Sequence, residues 1–302
     1  MIDFLRYLDS KFHVDETALH RPSFEAMLQQ LPVQGDVLEV GGGSGAMLRR
    51  LSTADRLSQL NYTICDQNPV LVSAVGKRFP GVDCRCGDLF MLDFGGRQYD
   101  MVIAQAVLDV IDMEQGLSLF SRILRSGGCL YAPITFDGIT EFTAPSDETG
   151  VDSGLDSRII EEYHLSMDER MVNGRPSGSR FAGRRLAHLA SRYGFSLISQ
   201  GVSTWQVQPE DGNYANDDAY FLEAILAMLE DSVGNRIVKG RTRLTRMELD
   251  TWLYQRHSQL KAGRLGFTAR HLDLLLVLNT SSNPIHAQTC TDRDEGTLTA
   301  HR

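Results

Sequence analysis

The chain has 302 residues, 42% of them hydrophobic and 23% charged, which is enough apolar material to bury the core of one large domain or two small ones. No run approaches the roughly 18 apolar residues of a membrane span, and the N-terminus lacks a basic stretch followed by an apolar block, so a cytoplasmic protein is expected. The formal net charge of −9 argues against a broad phosphate-backbone footprint. The five cysteines lack the paired spacing of a zinc site.

Residues 1–35 are expected to form a helical arm. From Val37 to about Thr135, short apolar runs alternate with helix-period stretches. Strands are expected at Val37–Val40, Tyr62–Asp66, Val82–Cys86, Met101–Ala104 and Cys129–Thr135. Amphipathic helices lie between them, with Val70, Leu71, Ala74 and Val75 on one stripe and Leu117, Phe120, Ile123 and Leu124 on another. After Thr135 the rhythm breaks, and Phe136–Ser179 shows no sustained period. A helix then carries Leu186, Leu189, Ala190 and Tyr193, with Gly194 as its C-cap. A sixth strand at Phe195–Gln200, helices over Asp218–Glu230 and about Thr245–Lys261, and a seventh strand at Leu272–Leu278 complete the pattern. The expectation is an α/β fold, a Rossmann-like, seven-stranded, mainly parallel sheet with helices on both faces. The domain runs over 36–280, with insertions near 137–180 and 203–265 forming a cap. The polar tail 281–302 reads as disordered.

The most informative segment is DVLEVGGGSGAML, Asp36 to Leu48. A buried strand enters a loop with Gly41, Gly43 and Gly45, and a helix starts at once. Such glycines let the backbone turn sharply and approach a ligand, where a side chain would collide. Two cofactor classes compete. Gly41, Gly43 and Ala46 satisfy the looser dinucleotide pattern, which would make an NAD(P)-dependent oxidoreductase. Glu39, two residues before Gly41, instead suits a cofactor carrying an ammonium and a sulfonium, and would repel a pyrophosphate in a low-dielectric pocket.

With Glu39 and the Gly41, Gly43, Gly45 series, the chain resembles the class I S-adenosylmethionine-dependent methyltransferases. The resemblance extends through YTICDQNP, CRCGDLF, YDMVIAQAVLDVI and LRSGGCLYAPITF, covering about Val37 to Phe136. It implies that Asp66, followed by Gln67, bonds the ribose hydroxyls. Asp88 would contact the adenine amino group, Leu89 would pack on the ring, and Ala104 and Gln105 would lie near the methionine part. S-adenosylmethionine is then the cofactor, and the reaction is methyl transfer.

Methyl transfer from a sulfonium needs alignment and water exclusion, and a base only if the acceptor must lose a proton. Ala104-Gln105-Ala106-Val107 replaces the Asp/Asn-Pro-Pro-aromatic motif of enzymes that methylate base amino groups, so a nucleic-acid acceptor is not expected. Asp109 and Asp112 read as helix-start charges rather than a metal pair. The acceptor is expected under the arm and the insertions, as a small molecule methylated at oxygen or carbon. His164 is the preferred base and Tyr163 its neighbour, with His13 and His20 weaker candidates; His164 reads equally well as a packing histidine. Arg180 and Arg184, in the run Gly174–Arg185, would clamp an anionic acceptor, or form a solvated face. Phe136 would supply an apolar wall. A homodimer is compatible with the sequence, as is a methyltransferase-like subunit that binds the cofactor without turnover.

Overall fold

The computed structural model describes residues 2–144, 152–172 and 174–280; the expected disordered tail lies outside the described residues. The arm forms α1 (Phe4–Thr17) and α2 (Arg21–Gln30), each with a side-chain cap. Asp3 accepts from the N–H groups of Leu5 and Arg6, and His20 from that of Ser23. The α/β unit follows as β1 (Gly35–Val40), α3 (Ala46–Thr53), β2 (Leu60–Asp66), α4 (Pro69–Arg78), β3 (Asp83–Cys86), β4 (Tyr99–Ile103), α5 (Met113–Ile123) and β5 (Leu124–Ile134). Asn68 caps α4 with Pro69 in its first turn, and Asp112 caps α5, so sequence punctuation places both starts. The rest is β6 (Thr140–Thr143), α6 (Ser153–Asp168), β7 (Met171–Val172), β8 (Arg175–Pro176), α7 (Ala182–Ala190), β9 (Phe195–Val207), α8 (Asp218–Val238), α9 (Arg246–Lys261) and β10 (Gly266–Leu278).

The main sheet runs β3-β2-β1-β4-β5-β10-β6, with β9 paired on the other edge of β10. The pairs β3-β2, β2-β1, β1-β4 and β4-β5 are parallel, and β10 is antiparallel to β5, β6 and β9. The expected seven strands are therefore present, and the short β6 makes an eighth. Consecutive residues of β1 face opposite ways: Leu38 and Val40 pack under α5 and α7, Val37 under α2, α3 and α4. Because both faces are covered, Val37, Leu38 and Val40 are all apolar, and the charged residue among them, Glu39, is also buried.

The strands β9 and β10 outgrow the expected segments. Their outer halves leave the parallel sheet and carry a second core, in which Trp205, Val207, Phe267 and Ala269 meet α1, α6, α8 and α9. Phe142, Trp205, Phe221, Trp252 and Phe267 interlock there at centroid distances of 5.1–6.5 Å, each pair contributing about 0.5–1.5 kcal/mol beyond its buried area.

Three expectations change. Helix α6 occupies a region that lacks a sustained period, because its buried side is only Leu155, Ile159 and His164. Val70 is exposed, and α4 buries only Leu71 and Val75. Helix α8 continues two turns past Glu230, because Val233 and Arg236 are also buried; Arg236 is held by Glu162 at 2.7 Å and by Glu169.

Candidate active site

At the C-terminal ends of the parallel strands lies a cavity of about 720 Å³, within the usual range for a small-molecule site. Its floor is the loop after β1. Gly41 and Gly43 have φ of +62° and +53°, a region that penalises any residue with a Cβ. A Cβ on Gly41 would also stand 2.5 Å from Val107 Cγ2, so the loop and the segment after β4 close against each other only with glycine there. Gly45 is not in the cavity wall; it takes the left-handed conformation just before α3.

Asp66 ends β2 at the cavity wall. One of its oxygens accepts from the Gly43 N–H at 3.0 Å and the other from that of Asn68 at 2.9 Å. A carboxylate has about four acceptor positions, so two remain for a ligand's vicinal hydroxyls. Gln67, Asp88 and Leu89 also line the cavity, and Asp88 is fixed by the Phe90 N–H at 2.8 Å. Glu39 lies at the inner wall, 3% exposed, accepting from the Tyr62 hydroxyl at 2.8 Å. Burial pushes its carboxyl up to about 8, so in the protein alone it is mainly protonated at neutral pH, and a cationic ligand group would favour its ionised form.

The opposite wall comes from the arm. Phe4, Leu8, Lys11 and Asp15 of α1 face the loop. Asp15 is a buried hub, accepting from Trp205 Nε1 at 2.8 Å, Lys11 Nζ at 2.6 Å and Gln105 Nε2 at 3.3 Å. Burial alone would raise its carboxyl, but Lys11 and Arg50 hold it below its usual value. Arg50, buried on α3, donates to Gln105 Oε1 at 2.8 Å and pairs with Glu16. Gln105 is thus oriented from both ends. Between the two walls, Ala106, Val107, Val110 and Ile111 form an apolar side.

The structure gathers Glu39, Gly41, Gly43, Asp66, Gln67, Asp88, Leu89 and Gln105 around one cavity. Ala104 is buried beside it, its N–H donating to the Tyr131 carbonyl. The acceptor-side candidates lie elsewhere. His164 is buried on α6 with its ring 4.9 Å from Phe136, its Nε2 has no partner among the described residues, and burial lowers its basicity. Tyr163 is beside it in the second core. Arg180 pairs with Glu161 and Asp168, and Arg184 with Asp137. His164, Phe136, Tyr163, Arg180 and Arg184 are all outside the cavity lining. Asp112 caps α5, and Asp109 accepts from the Thr135 N–H and hydroxyl. The residues that sequence reasoning missed are those of α1. The signal was there, an i,i+4 Lys11–Asp15 pair on the same helix face as Tyr7 and Val14.

Residues 38–132 match the family described as a methyltransferase domain. The chain carries a match to a methyltransferase domain over those residues. Among solved structures, a protein of Bacillus halodurans named as a methyltransferase shares 13% identity at a TM-score of 0.52, over 85% of this chain and 99% of that one. A methyltransferase of Methanosarcina mazei shares 13% identity at 0.46, over 84% and 97%. A protein of Galdieria sulphuraria named as a sarcosine dimethylglycine methyltransferase shares 16% at 0.44, over 86% and 84%. At 13% identity, the likeness to the Bacillus halodurans protein is one of fold. No curated protein matches the sequence. The methyltransferase domain's cofactor is S-adenosylmethionine, and the cavity fits it: a glycine cradle without room for side chains, a carboxylate with two free acceptor positions, and a buried acid able to face a cation.

Proposed function

We propose that the protein transfers the methyl group of S-adenosylmethionine to a small-molecule acceptor, at oxygen or carbon. The observation that carries this reading is the continuity of the cavity. The walls suited to the cofactor, at Glu39, Asp66 and Asp88, and the arm wall at Phe4, Leu8, Lys11 and Asp15 enclose one volume. A cofactor on the first wall leaves its acceptor space facing the second.

When bound, the cofactor supplies an already activated methyl group. The protein's part is then alignment and exclusion of water. Asp66 and Asp88 would hold the nucleoside end, with Leu89 beside it, and Glu39 and the glycine loop would hold the end that carries the sulfonium. Helix α1 covers the acceptor space. It is tied to the α/β unit through Arg49 to Asp9 at 3.0 Å, with the Arg49 guanidinium 3.9 Å from the Phe12 ring centre. On the other side it is tied to α8 through Arg6, whose guanidinium reaches both Asp217 oxygens at 2.7 Å. Closure by an element pinned on both sides keeps the acceptor dry.

The test is transfer of an isotopically labelled methyl group from S-adenosylmethionine to a panel of small hydroxyl-, enol- and carboxyl-bearing molecules, with oligonucleotides and proteins as parallel acceptors. Label entering only small molecules supports the reading. Label entering nucleic acid or protein alone contradicts it, and cofactor binding without any turnover points to a binding subunit.

A further inference from the structure

Lys11 is a cation in a place that does not tolerate an idle one. It is 9% exposed, and its ammonium stands 5.1 Å from the centre of the Trp205 ring. An ammonium carries three N–H donors. Among the described residues Lys11 Nζ has one hydrogen-bond partner, Asp15, and Lys11 is one of the residues that line the cavity. Taking such a group out of water is costly unless its remaining donors are satisfied.

The pair is also held rigidly. Trp205 and Gln105 donate to the same Asp15 carboxylate, and Gln105 is itself fixed by Arg50. Of the described lining residues the only other cation is Arg175, which is 61% exposed and 3.5 Å from Asp112. Phe4 and Leu8 of the same helix add apolar lining, and the polar Gln105 beside them is already held by Asp15 and Arg50.

We propose that Lys11 receives a carboxylate inside the cavity, and that Asp15 is a positioning residue that holds the ammonium at the wall. An ammonium is a point charge whose N–H groups each give one charge-assisted hydrogen bond, so the two left on Lys11 can donate to the oxygens of a singly charged carboxylate. Two sources share this chemistry, the amino-acid end of the cofactor and a carboxylate on the acceptor. The first source rests on the methyltransferase reading; the second does not.

The experiment measures dissociation constants by calorimetry for the wild type, Lys11→Met, Lys11→Arg and the double variant Lys11→Met/Asp15→Asn. The double variant removes both buried charges together and keeps an acceptor for Trp205, so it covers the case in which Lys11→Met alone fails to fold. The probes are S-adenosylhomocysteine, methylthioadenosine (which lacks the amino-acid end), and sodium benzoate against neutral benzamide, these last two with and without S-adenosylhomocysteine. If the cofactor's carboxylate is the partner, Lys11→Met weakens S-adenosylhomocysteine about tenfold or more, leaves methylthioadenosine unchanged, and Lys11→Arg restores part of the loss. If the acceptor's is, S-adenosylhomocysteine is unchanged, while benzoate binds the wild type in preference to benzamide and loses about tenfold in the variant.

Equal weakening of methylthioadenosine and S-adenosylhomocysteine would overturn the proposal, since Lys11 would then act only through the fold. So would unchanged S-adenosylhomocysteine binding together with no Lys11-dependent preference for benzoate. Failure of both adenosyl probes to bind the wild type would defeat the cofactor reading instead, and the benzoate arm would still decide Lys11.

Discussion

Replacing Glu39 by Gln isolates one buried carboxyl and gives a pH dependence whose sign is fixed by the structure. Burial is the main cause of its rise from 4.5 to about 8, while the Tyr62 hydroxyl and Arg50 act to lower it. The native state therefore binds a proton that the unfolded chain has released, across the window from about 4.5 to about 8. Stability contributed by the protonated form is fully present below 4.5 and is lost as pH rises through 8. At about 1.4 kcal/mol per unit, the loss reaches about 3 kcal/mol by about pH 7 and about 5 kcal/mol by about pH 9, to order of magnitude. The amide introduced by Glu39→Gln can still accept from Tyr62 but does not ionise, so the variant lacks this loss. Asp273, pushed up to about 7, and His271, pushed down to about 3, both chiefly by burial, titrate in both proteins and cancel in the difference. Urea unfolding of both proteins without cofactor, from about pH 5 to about pH 9, should show the wild type losing ground steadily to the variant. A difference that stays flat with pH would refute the reasoning, because Glu39 would then ionise in the native state as it does in water.

Asp66→Ala removes the acceptor of the Gly43 and Asn68 N–H groups as well as the proposed ribose site. It should weaken S-adenosylhomocysteine by roughly 10- to 100-fold in calorimetry. Gly41→Ala meets both the positive φ and the Val107 methyl 2.5 Å away, and should cost about 1–3 kcal/mol in urea unfolding along with cofactor affinity. His164→Phe replaces a buried ring whose Nε2 is unpartnered among the described residues. It should leave stability unchanged or raised, and turnover of an identified acceptor should survive, whereas a fall in kcat with unchanged cofactor affinity would restore His164 as the base.

How much of this was legible in the chain depends on whether a requirement is local. The glycine loop, Asp66 and Asp88 could be read directly because each answers a demand of the backbone or of a strand end at a fixed place in the sequence. The edges of the sheet were less visible. The strands β9 and β10 continue past the apolar runs that announce them, because their outer halves pack against helices rather than against the parallel sheet, and the pattern changes with the partner. Helix α6 escaped since three buried residues in sixteen leave too narrow a stripe. The wall that α1 contributes to the cavity escaped for a different reason. His164, Arg180 and Arg184 have suitable chemistry, but the ring packs on Phe136 and the guanidinium groups pair with Glu161, Asp168 and Asp137. Lys11 and Asp15 look like an ordinary helical pair until α1 is seen lying across the glycine loop, where the two become the polar part of an otherwise apolar wall.

The central claim, that this cavity holds an adenosyl cofactor through Asp66, is tested most directly by thermal unfolding with saturating S-adenosylmethionine, S-adenosylhomocysteine, NAD or NADP. A ligand that binds only the native state at about 100 times its dissociation constant adds roughly 2.7 kcal/mol, a shift of several degrees at roughly 2–4 °C per kcal/mol. The account predicts that Tm rises with the two adenosyl compounds, stays put with the nicotinamides, and no longer responds in Asp66→Ala. A rise with NAD or NADP alone, or an adenosyl shift that survives Asp66→Ala undiminished, would contradict it.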